Sequence, residues 1–196
     1  MALLNPRQKE LICKIVYYGP GLGGKTTNLK YIFEHTSPMS RGELVTLNTQ
    51  GDRTLYFDVL PLNLGTIKGY KIRFQLYTVP GQVFYSESRK IILRGVDGVV
   101  FVADSQQERM DANIESLEDL QENLRQYDYS FANLPYVLQL NKRDLPNIVP
   151  AEEMKKILVL KGEPVVEAVA IRGIGVMETL KEVSKLVLLK LKKEMK

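Results

Sequence analysis

The stretch Gly19-Pro20-Gly21-Leu22-Gly23-Gly24-Lys25-Thr26 decides the fold of this 196-residue chain. It fits the pattern G-x-x-x-x-G-K-[ST] and lies between a strand-like run, Ile12–Tyr18, and a helix-like segment, Thr26–His35. Glycines in such a turn let backbone N–H groups surround an anion at a helix N-terminus. The stretch therefore predicts a phosphate-binding loop for a nucleoside triphosphate. Its predicted binding residues are Gly19, Gly21, Leu22, Gly23, Gly24, Lys25, Thr26 and Thr27.

Two side chains of this loop have predicted roles of their own. Lys25 is expected to bridge the β- and γ-phosphates and to stabilise the charge that develops on them during hydrolysis. The hydroxyl of Thr26 is expected to bind Mg²⁺.

The composition excludes several other classes of protein. One cysteine, Cys13, excludes an internal disulfide framework and an all-cysteine metal site, and one histidine, His35, excludes a two-histidine zinc centre. No apolar run approaches the ~18 residues that a bilayer span needs. The net charge is +4, but no nucleic-acid-binding signature accompanies it. We expect a single cytoplasmic domain, residues 1–196, that is a monomer on its own, with no nucleic-acid partner and no stable membrane insertion.

Strand-like and helix-like segments alternate along the chain, which is typical of an α/β fold with a largely parallel sheet. The pattern predicts a six-stranded mixed sheet containing one antiparallel hairpin, flanked by about five helices. The predicted strands are Ile12–Tyr18, Leu55–Leu62, Tyr70–Thr78, Val96–Ala103, Pro135–Leu140 and Val165–Ala170, with the hairpin turn at Asn63-Leu64-Gly65. The predicted helices are Thr26–His35, a short one late in residues 79–95, Met110–Tyr127, Ala151–Leu158 and Val176–Lys193; residues 36–53 are expected to form a long loop. Ligands of such folds bind at the carboxyl edge of the sheet.

A second motif, Asn141-Lys142-Arg143-Asp144, follows the strand Pro135–Leu140 at that edge. A carboxylate only accepts hydrogen bonds, and guanine offers two adjacent donors, N1–H and the 2-amine, whereas adenine has no such pair. Asp144 is therefore predicted to select guanine. Asn141 is expected to tie this loop to the phosphate loop, and the aliphatic stem of Lys142 to cover the base.

With these two motifs in this order, the chain resembles the Ras-like small GTPases over nearly its full length. Thr78-Val79-Pro80-Gly81-Gln82 stands where that family has D-x-x-G-Q. The resemblance implies that the N–H of Gly81 senses the γ-phosphate and that Gln82 orients the attacking water. Thr78 replaces the family's Asp, which holds a magnesium-bound water. Glu167-Ala168-Val169-Ala170-Ile171 stands where the family has E-x-S-A-K, so the N–H of Ala170 is expected to meet the guanine oxygen although the Ser and Lys side chains are absent.

The departures from the family pattern resemble the MglA-type branch of bacterial and archaeal GTPases. This resemblance rests on TVPGQ, on Pro20, on NKRDLP and on VDGVVFVADS. It implies a switch for cell polarity or surface motility, recruitment to a cell pole, GTP-dependent effectors, and a Roadblock-type (MglB-like) homodimer as GTPase activator.

The resemblance also requires a threonine that closes onto Mg²⁺ from the long loop. Thr54 is the predicted residue, with Thr46 and Thr49 as alternatives. Arg53 beside it is either a solvated charge or an arginine finger supplied in cis. Asp58, on the following strand, either replaces the missing carboxylate near the metal or makes a hairpin-edge hydrogen bond.

We therefore predict a GTP-hydrolysing molecular switch with Mg²⁺ as cofactor, slow alone and accelerated by a partner. Gln82, Arg53 and Lys25 are its predicted catalytic residues, and Thr26, Thr54 and Asp58 its predicted metal residues. A nucleotide-loaded scaffold without significant hydrolysis is the main alternative, because of Thr78, and a P-loop kinase is the second. Phe84 and Tyr85 are either partner anchors or cover for the sheet.

Overall fold

The computed structural model describes residues 3–5, 9–48, 56–81 and 86–194. The strands are β1 (Leu3–Asn5), β2 (Glu10–Tyr18), β3 (Val45–Asn48), β4 (Tyr56–Ile67), β5 (Tyr70–Thr78), β6 (Gly98–Asp104), β7 (Tyr136–Asn141) and β8 (Val165–Glu167). The α-helices are α1 (Lys25–His35), α2 (Ser86–Leu93), α3 (Met110–Arg125), α4 (Ala151–Leu158) and α5 (Val176–Glu194).

All the described strands belong to one mixed sheet with the order β3-β4-β5-β2-β6-β7-β8, and β1 pairs with β2 outside this path. The pairs of β2 with β5 and β6, of β6 with β7, and of β7 with β8 are parallel. The pairs β1–β2, β3–β4 and β4–β5 are antiparallel. The predicted α/β fold with a mixed sheet and five helices is confirmed, and the sheet has two short strands more than predicted, β1 and β3.

The core forms two layers because successive side chains of a strand point to opposite faces. Ile15 and Tyr17 of β2 face a layer shared with α1 and α5, whereas Val16 and Tyr18 face a layer shared with α2, α3 and α4. Every residue of β6 is buried, as a strand covered by helices on both faces should be. Cys13 lies in the first layer, where burial raises the pKa of its thiol to about 12.

The predicted hairpin turn at Asn63-Leu64-Gly65 is wrong. Strand β4 continues to Ile67, and the turn is made by Lys68 and Gly69, both at positive φ (49° and 81°). Two consecutive residues at positive φ give the backbone twist that suits a two-residue hairpin. The sequence signal at Gly65 comes instead from a bulge, because the pairing register shifts between Asn63 and Thr66 and Gly65 has a φ of 93°.

The last strand is shorter than predicted. It ends at Glu167, and Ala170–Arg172 form a turn of 3₁₀ helix that Gly173 closes at a φ of 75°. The turn places Ala170 and Arg172 beside the loop that follows β7. The carboxyl ends of β2, β5, β6, β7 and β8 thus deliver their following loops to one edge of the sheet.

Among the described helices, none combines the length and apolar character that crossing a membrane would require.

Candidate functional site

The phosphate loop lies against the neighbouring strands with no room for side chains at two of its glycines. A Cβ atom on Gly19 would lie 2.2 Å from the carbonyl oxygen of Val102, and a Cβ atom on Gly24 would lie 2.2 Å from Nδ2 of Asn141. Both glycines also have positive φ, 136° and 102°. Gly24 immediately precedes α1, so the loop curls directly into a helix N-terminus, where backbone N–H groups lack intrahelical partners.

Lys25 turns its ammonium back over this loop. Its Nζ donates to the carbonyl oxygens of Gly19 (2.8 Å) and Pro20 (2.7 Å). Burial lowers the pKa of Lys25 to about 7, and the positive charge of Arg89 acts in the same direction. Negative charge next to Nζ would oppose this effect, which makes the position suited to an anion.

Gly81 forms the opposite wall. A Cβ atom there would lie 2.4 Å from the Cα of Gly21 and 2.9 Å from Nζ of Lys25. The backbone that follows β5 therefore approaches the phosphate loop as the resemblance requires of the residue that senses a γ-phosphate. Only glycine fits at this distance.

Asp58 joins three threonine hydroxyls beside the phosphate loop. Its Oδ2 accepts from Thr26 (2.7 Å) and Thr78 (3.1 Å), and its Oδ1 accepts from Thr46 (2.8 Å). The hydroxyl of Thr78 also accepts the backbone N–H of Asp58 at 2.8 Å. Asp58 as a residue is 4% exposed and lies on the strand next to the one that carries Thr78. The sequence left open whether Asp58 replaces the missing carboxylate near the metal or makes a hairpin-edge hydrogen bond. In this structure it contacts both the predicted metal residue Thr26 and Thr78 on the paired strand.

This arrangement fits a magnesium ion. Mg²⁺ prefers hard oxygen ligands and is held in nucleotide sites by few protein groups, with water and phosphate oxygens completing the shell. The Thr26 hydroxyl and the Asp58 carboxylate are such oxygens at one end of a cleft of about 490 Å³. Over the described ranges, no group of three Cys, His, Asp or Glu side chains is arranged to hold a metal on its own.

Asn141 connects the phosphate loop to the loop after β8. Its Nδ2 donates to the carbonyl oxygen of Gly23 (2.8 Å), and its Oδ1 accepts the backbone N–H of Ala170 (2.9 Å). The predicted tie between the loop of Asn141 itself, after β7, and the phosphate loop is therefore present in the geometry. The N–H of Ala170, expected to meet the guanine oxygen, is hydrogen-bonded to Asn141 here.

Asp104 and Arg109 together link Lys142 to the phosphate loop. The Nζ of Lys142 donates to Oδ2 of Asp104 (2.6 Å) and to Oε1 of Gln106 (3.2 Å). Nε of Arg109 lies 3.9 Å from the same carboxylate oxygen, and Nη2 of Arg109 donates to the carbonyl oxygen of Gly21 (2.9 Å). Asp104 is fully buried, so the two cations compensate its charge.

Asp144 lies at the far end of the site. Its carboxylate pairs with Arg172 at 3.1 Å and borders a cleft of about 290 Å³. Leu22, Gly24 and Thr27 line both this cleft and the one that contains Asp58. The two clefts therefore form one groove that runs along the phosphate loop from Asp58 to Asp144.

The groove brings together most of the predicted site residues. Arg53, Thr54 and Gln82 lie outside the described residues, as do Thr49, Phe84 and Tyr85. Sequence reasoning missed Asp104, Arg109 and Arg172. The position of Asp104 at the carboxyl end of β6 was a usable signal, whereas nothing local distinguishes Arg109 or Arg172 from solvated arginines.

Two comparisons with known proteins each cover nearly the whole chain, including the groove. A sequence profile of the ADP-ribosylation factor family matches residues 2–187. The mutual gliding-motility protein MglA of Myxococcus xanthus (strain DK1622) is 61% identical over 193 residues, which cover 98% of this chain and 99% of that protein. These matches confirm the resemblance to small GTPases of the MglA type that the motifs indicated.

Proposed function

The chain belongs to the ADP-ribosylation factor family of small GTPases, and we propose that it is a molecular switch that hydrolyses GTP to GDP and phosphate. The observation that carries the proposal is the continuous groove from Asp58 to Asp144 along the phosphate loop. One end offers oxygen ligands beside a buried lysine, and the other offers a carboxylate acceptor. A guanosine triphosphate with its magnesium ion needs both ends at once.

The base is selected at the Asp144 end. The two oxygens of its carboxylate accept N1–H and the 2-amine of guanine, while the aliphatic stem of Lys142 covers the ring. Supporting this, Asp104 and Gln106 hold the ammonium of Lys142 at the edge of the groove. Ala170 lines the same cleft, and its N–H shares its hydrogen between Asn141 and the guanine oxygen in a three-centre bond.

The phosphates are bound by the loop and by Lys25. Backbone N–H groups of residues 21–27 meet the α- and β-phosphates, and Lys25 exchanges the carbonyl oxygens of Gly19 and Pro20 for the β- and γ-phosphates. Gly81 places its N–H where the γ-phosphate is read, supported by its contact with Gly21.

Thr26 and Asp58 hold the magnesium ion, together with a threonine from the preceding loop. Thr54 is the predicted third residue, and Thr46 is the alternative that the contact with Asp58 supports. The ion supplies neutralisation of the charge that develops on the phosphate oxygens. Thr78 makes two hydrogen bonds with Asp58 and so orients its carboxylate. In this proposal Asp58, on the neighbouring strand, takes the role at the magnesium site that the family gives to the Asp at the position of Thr78.

Hydrolysis is in-line attack of water on the γ-phosphate, for which Gln82 orients the water and Arg53 stabilises the transition state. Ordering of the two loops that carry Arg53 and Gln82 distinguishes the GTP state from the GDP state, and effectors bind the ordered form. By likeness to the gliding-motility protein MglA, we propose that the switch controls surface motility or cell polarity in the cytoplasm, with recruitment to a pole. A Roadblock-type homodimer is the proposed activator.

The first test is the identity of the nucleotide. Protein purified without added nucleotide is denatured, and the released nucleotide is separated by ion-exchange chromatography; GDP or GTP is expected. The Lys25→Ala variant, prepared in parallel, is expected to release none. Competition in which ATP displaces a fluorescent GDP as well as GTP does would exclude the proposal.

The second test separates the switch from a nucleotide-loaded scaffold, which Thr78 keeps as an alternative. Single-turnover hydrolysis of GTP is measured with and without a Roadblock-type homodimer. A switch shows slow turnover alone and fast turnover with the activator. Nucleotide that stays GTP in both reactions would support the scaffold.

A further inference from the structure

The ion pair between Arg172 and Asp144 lies at the end of the groove that the base occupies in the proposed function. Nη2 of Arg172 donates to Oδ2 of Asp144 at 3.1 Å, and 61% of the arginine side chain is exposed against 20% of the aspartate side chain. Arg172 comes from the loop between β8 and α5 and Asp144 from the loop after β7. The pair thus joins two loops that both line the same cleft.

The backbone around Arg172 is fixed by hydrogen bonds and packing, which gives its side chain a fixed point of attachment. The N–H of Arg172 donates to the carbonyl oxygen of Val169 at 2.9 Å. The N–H of Val169 donates to the carbonyl oxygen of Ile174 at 3.0 Å. A Cβ atom on the adjacent Gly173 would lie 1.9 Å from the ring of Tyr31 on α1. This turn is therefore packed tightly against the first helix.

The neighbouring residues of the same loop supply no side-chain donor to Asp144. Val169 and Ile171 stand where the family pattern has Ser and Lys, and both side chains are aliphatic. Among the contacts of the described residues, the side chain hydrogen-bonded to the Asp144 carboxylate is that of Arg172.

We propose that Arg172 is a positioning residue for base recognition, which keeps the Asp144 carboxylate oriented toward guanine. A carboxylate has about four acceptor positions, so one bond from Arg172 leaves enough for N1–H and the 2-amine. The hydrogen bond from the guanidinium limits the rotation of the carboxylate. This inference rests on the proposed function, since it assumes that the groove binds a guanine nucleotide.

The effect is expected to be modest because the pair is partly solvated. Exposed ion pairs contribute little to binding free energy. Loss of this pair is therefore expected to weaken affinity by about two- to fivefold. Preference for the base is a sharper readout than affinity alone. Inosine diphosphate lacks the 2-amine, so the ratio of its Kd to that of GDP reports how well the carboxylate meets that group.

The experiment measures Kd for GDP and for inosine diphosphate, by displacement of a fluorescent GDP, in the full-length chain. Arg172→Ala is expected to weaken GDP about two- to fivefold and to reduce the preference for GDP over inosine diphosphate. Arg172→Lys, which keeps the charge, is expected to restore part of both. Arg125→Ala is the matched control, because Arg125 is 69% exposed and pairs with Glu122 at 3.2 Å on α3. It should leave both values unchanged.

A double substitution tests whether Arg172 acts through Asp144. In an Asp144→Asn background, with xanthosine diphosphate as the probe, the additional Arg172→Ala change is expected to have a smaller effect than in the unmodified protein. An equal effect would overturn the proposal and indicate a direct contact between Arg172 and the nucleotide. Tighter binding of GDP by Arg172→Ala would also overturn it, since Arg172 would then compete with the base. If the unmodified protein binds no guanine nucleotide, the proposed function fails; if it does and Arg172→Ala matches the Arg125→Ala control, only this inference fails.

Discussion

Asn141 donates a hydrogen bond of 2.8 Å from its side-chain amide to the carbonyl oxygen of Gly23, 118 residues earlier in the chain. The bond joins the loop proposed to read the base to the loop proposed to bind the phosphates. Because the other end of the amide accepts from the N–H of Ala170, one buried side chain fixes three segments of the groove.

Replacing this residue tests the connection. Asn141→Ala leaves the Gly23 carbonyl and the Ala170 N–H without these partners, and each buried unpaired group costs about 1–3 kcal/mol. We expect a lower melting temperature and GDP binding that is weaker by about tenfold or more. Asn133→Ala, at an exposed position, is the control. Unchanged GDP affinity with a lower melting temperature would restrict Asn141 to a structural role.

Base selection by Asp144 is tested by reversing it. Asp144→Asn should lose GTP and gain xanthosine triphosphate, because the amide offers a donor to the 2-oxo group of xanthine. Loss of a charge-assisted pairing costs about 1.5–3 kcal/mol, which is about tenfold to a hundredfold in affinity. Competition binding with both nucleotides measures the change. A variant that still prefers GTP would remove Asp144 from base recognition.

Magnesium binding is proposed to depend on Asp58 more than on Thr78. Asp58→Asn keeps the shape of the side chain but removes its charge. A higher magnesium concentration should therefore be needed to slow the release of GDP. Thr78→Val removes the hydroxyl behind Asp58 and should mainly lower the melting temperature, since it leaves the backbone N–H of Asp58 without its partner. Thr26→Ala should abolish the magnesium dependence. The measurement is the rate of GDP release across a magnesium titration, and a curve unchanged by Asp58→Asn would remove Asp58 from the metal site.

Arg109 is expected to anchor the phosphate loop. Its guanidinium donates to the carbonyl oxygen of Gly21 and lies near the buried charge of Asp104. Arg109→Ala should therefore speed GDP release several-fold, and Arg109→Lys should recover only part of the effect because a lysine cannot make both contacts in the same geometry. Stopped-flow release of a fluorescent GDP checks this, with Arg125→Ala as the control. Release rates that match the control would leave Arg109 as an ordinary surface arginine.

Arg53 and Gln82 are predicted to act in the transition state. Arg53→Ala and Gln82→Ala should each reduce activator-stimulated hydrolysis severely, by about 10³–10⁵ for a lost arginine finger, with GTP affinity nearly intact. Arg53→Lys should also fail, because a lysine does not offer the paired donors of a guanidinium. Single-turnover hydrolysis with the activator measures the effect. If the stimulated rate of Arg53→Ala stays within a few-fold of that of the unmodified protein, either the activator supplies the arginine finger or none is used.

The residues of local motifs were predictable because their chemistry depends on neighbours in the chain. Gly19, Lys25 and Thr26 act through a turn and a helix start that lie within eight residues of one another. Asn141 ends, and Asp144 follows, a strand that an apolar run identifies. The alternation of strands and helices identified the sheet edge at which both loops meet.

Tertiary structure decided which distant polar groups meet. Asp58 reaches Thr26 across 32 residues, Arg109 reaches Gly21 across 88, and Arg172 reaches Asp144 across 28. No periodicity encodes these contacts, because they depend on strand order, on register and on where a turn closes. The hairpin shows the same limit: Gly65 and Gly69 carry the same local signal, and only the pairing of β4 with β5 makes the first a bulge and the second the turn.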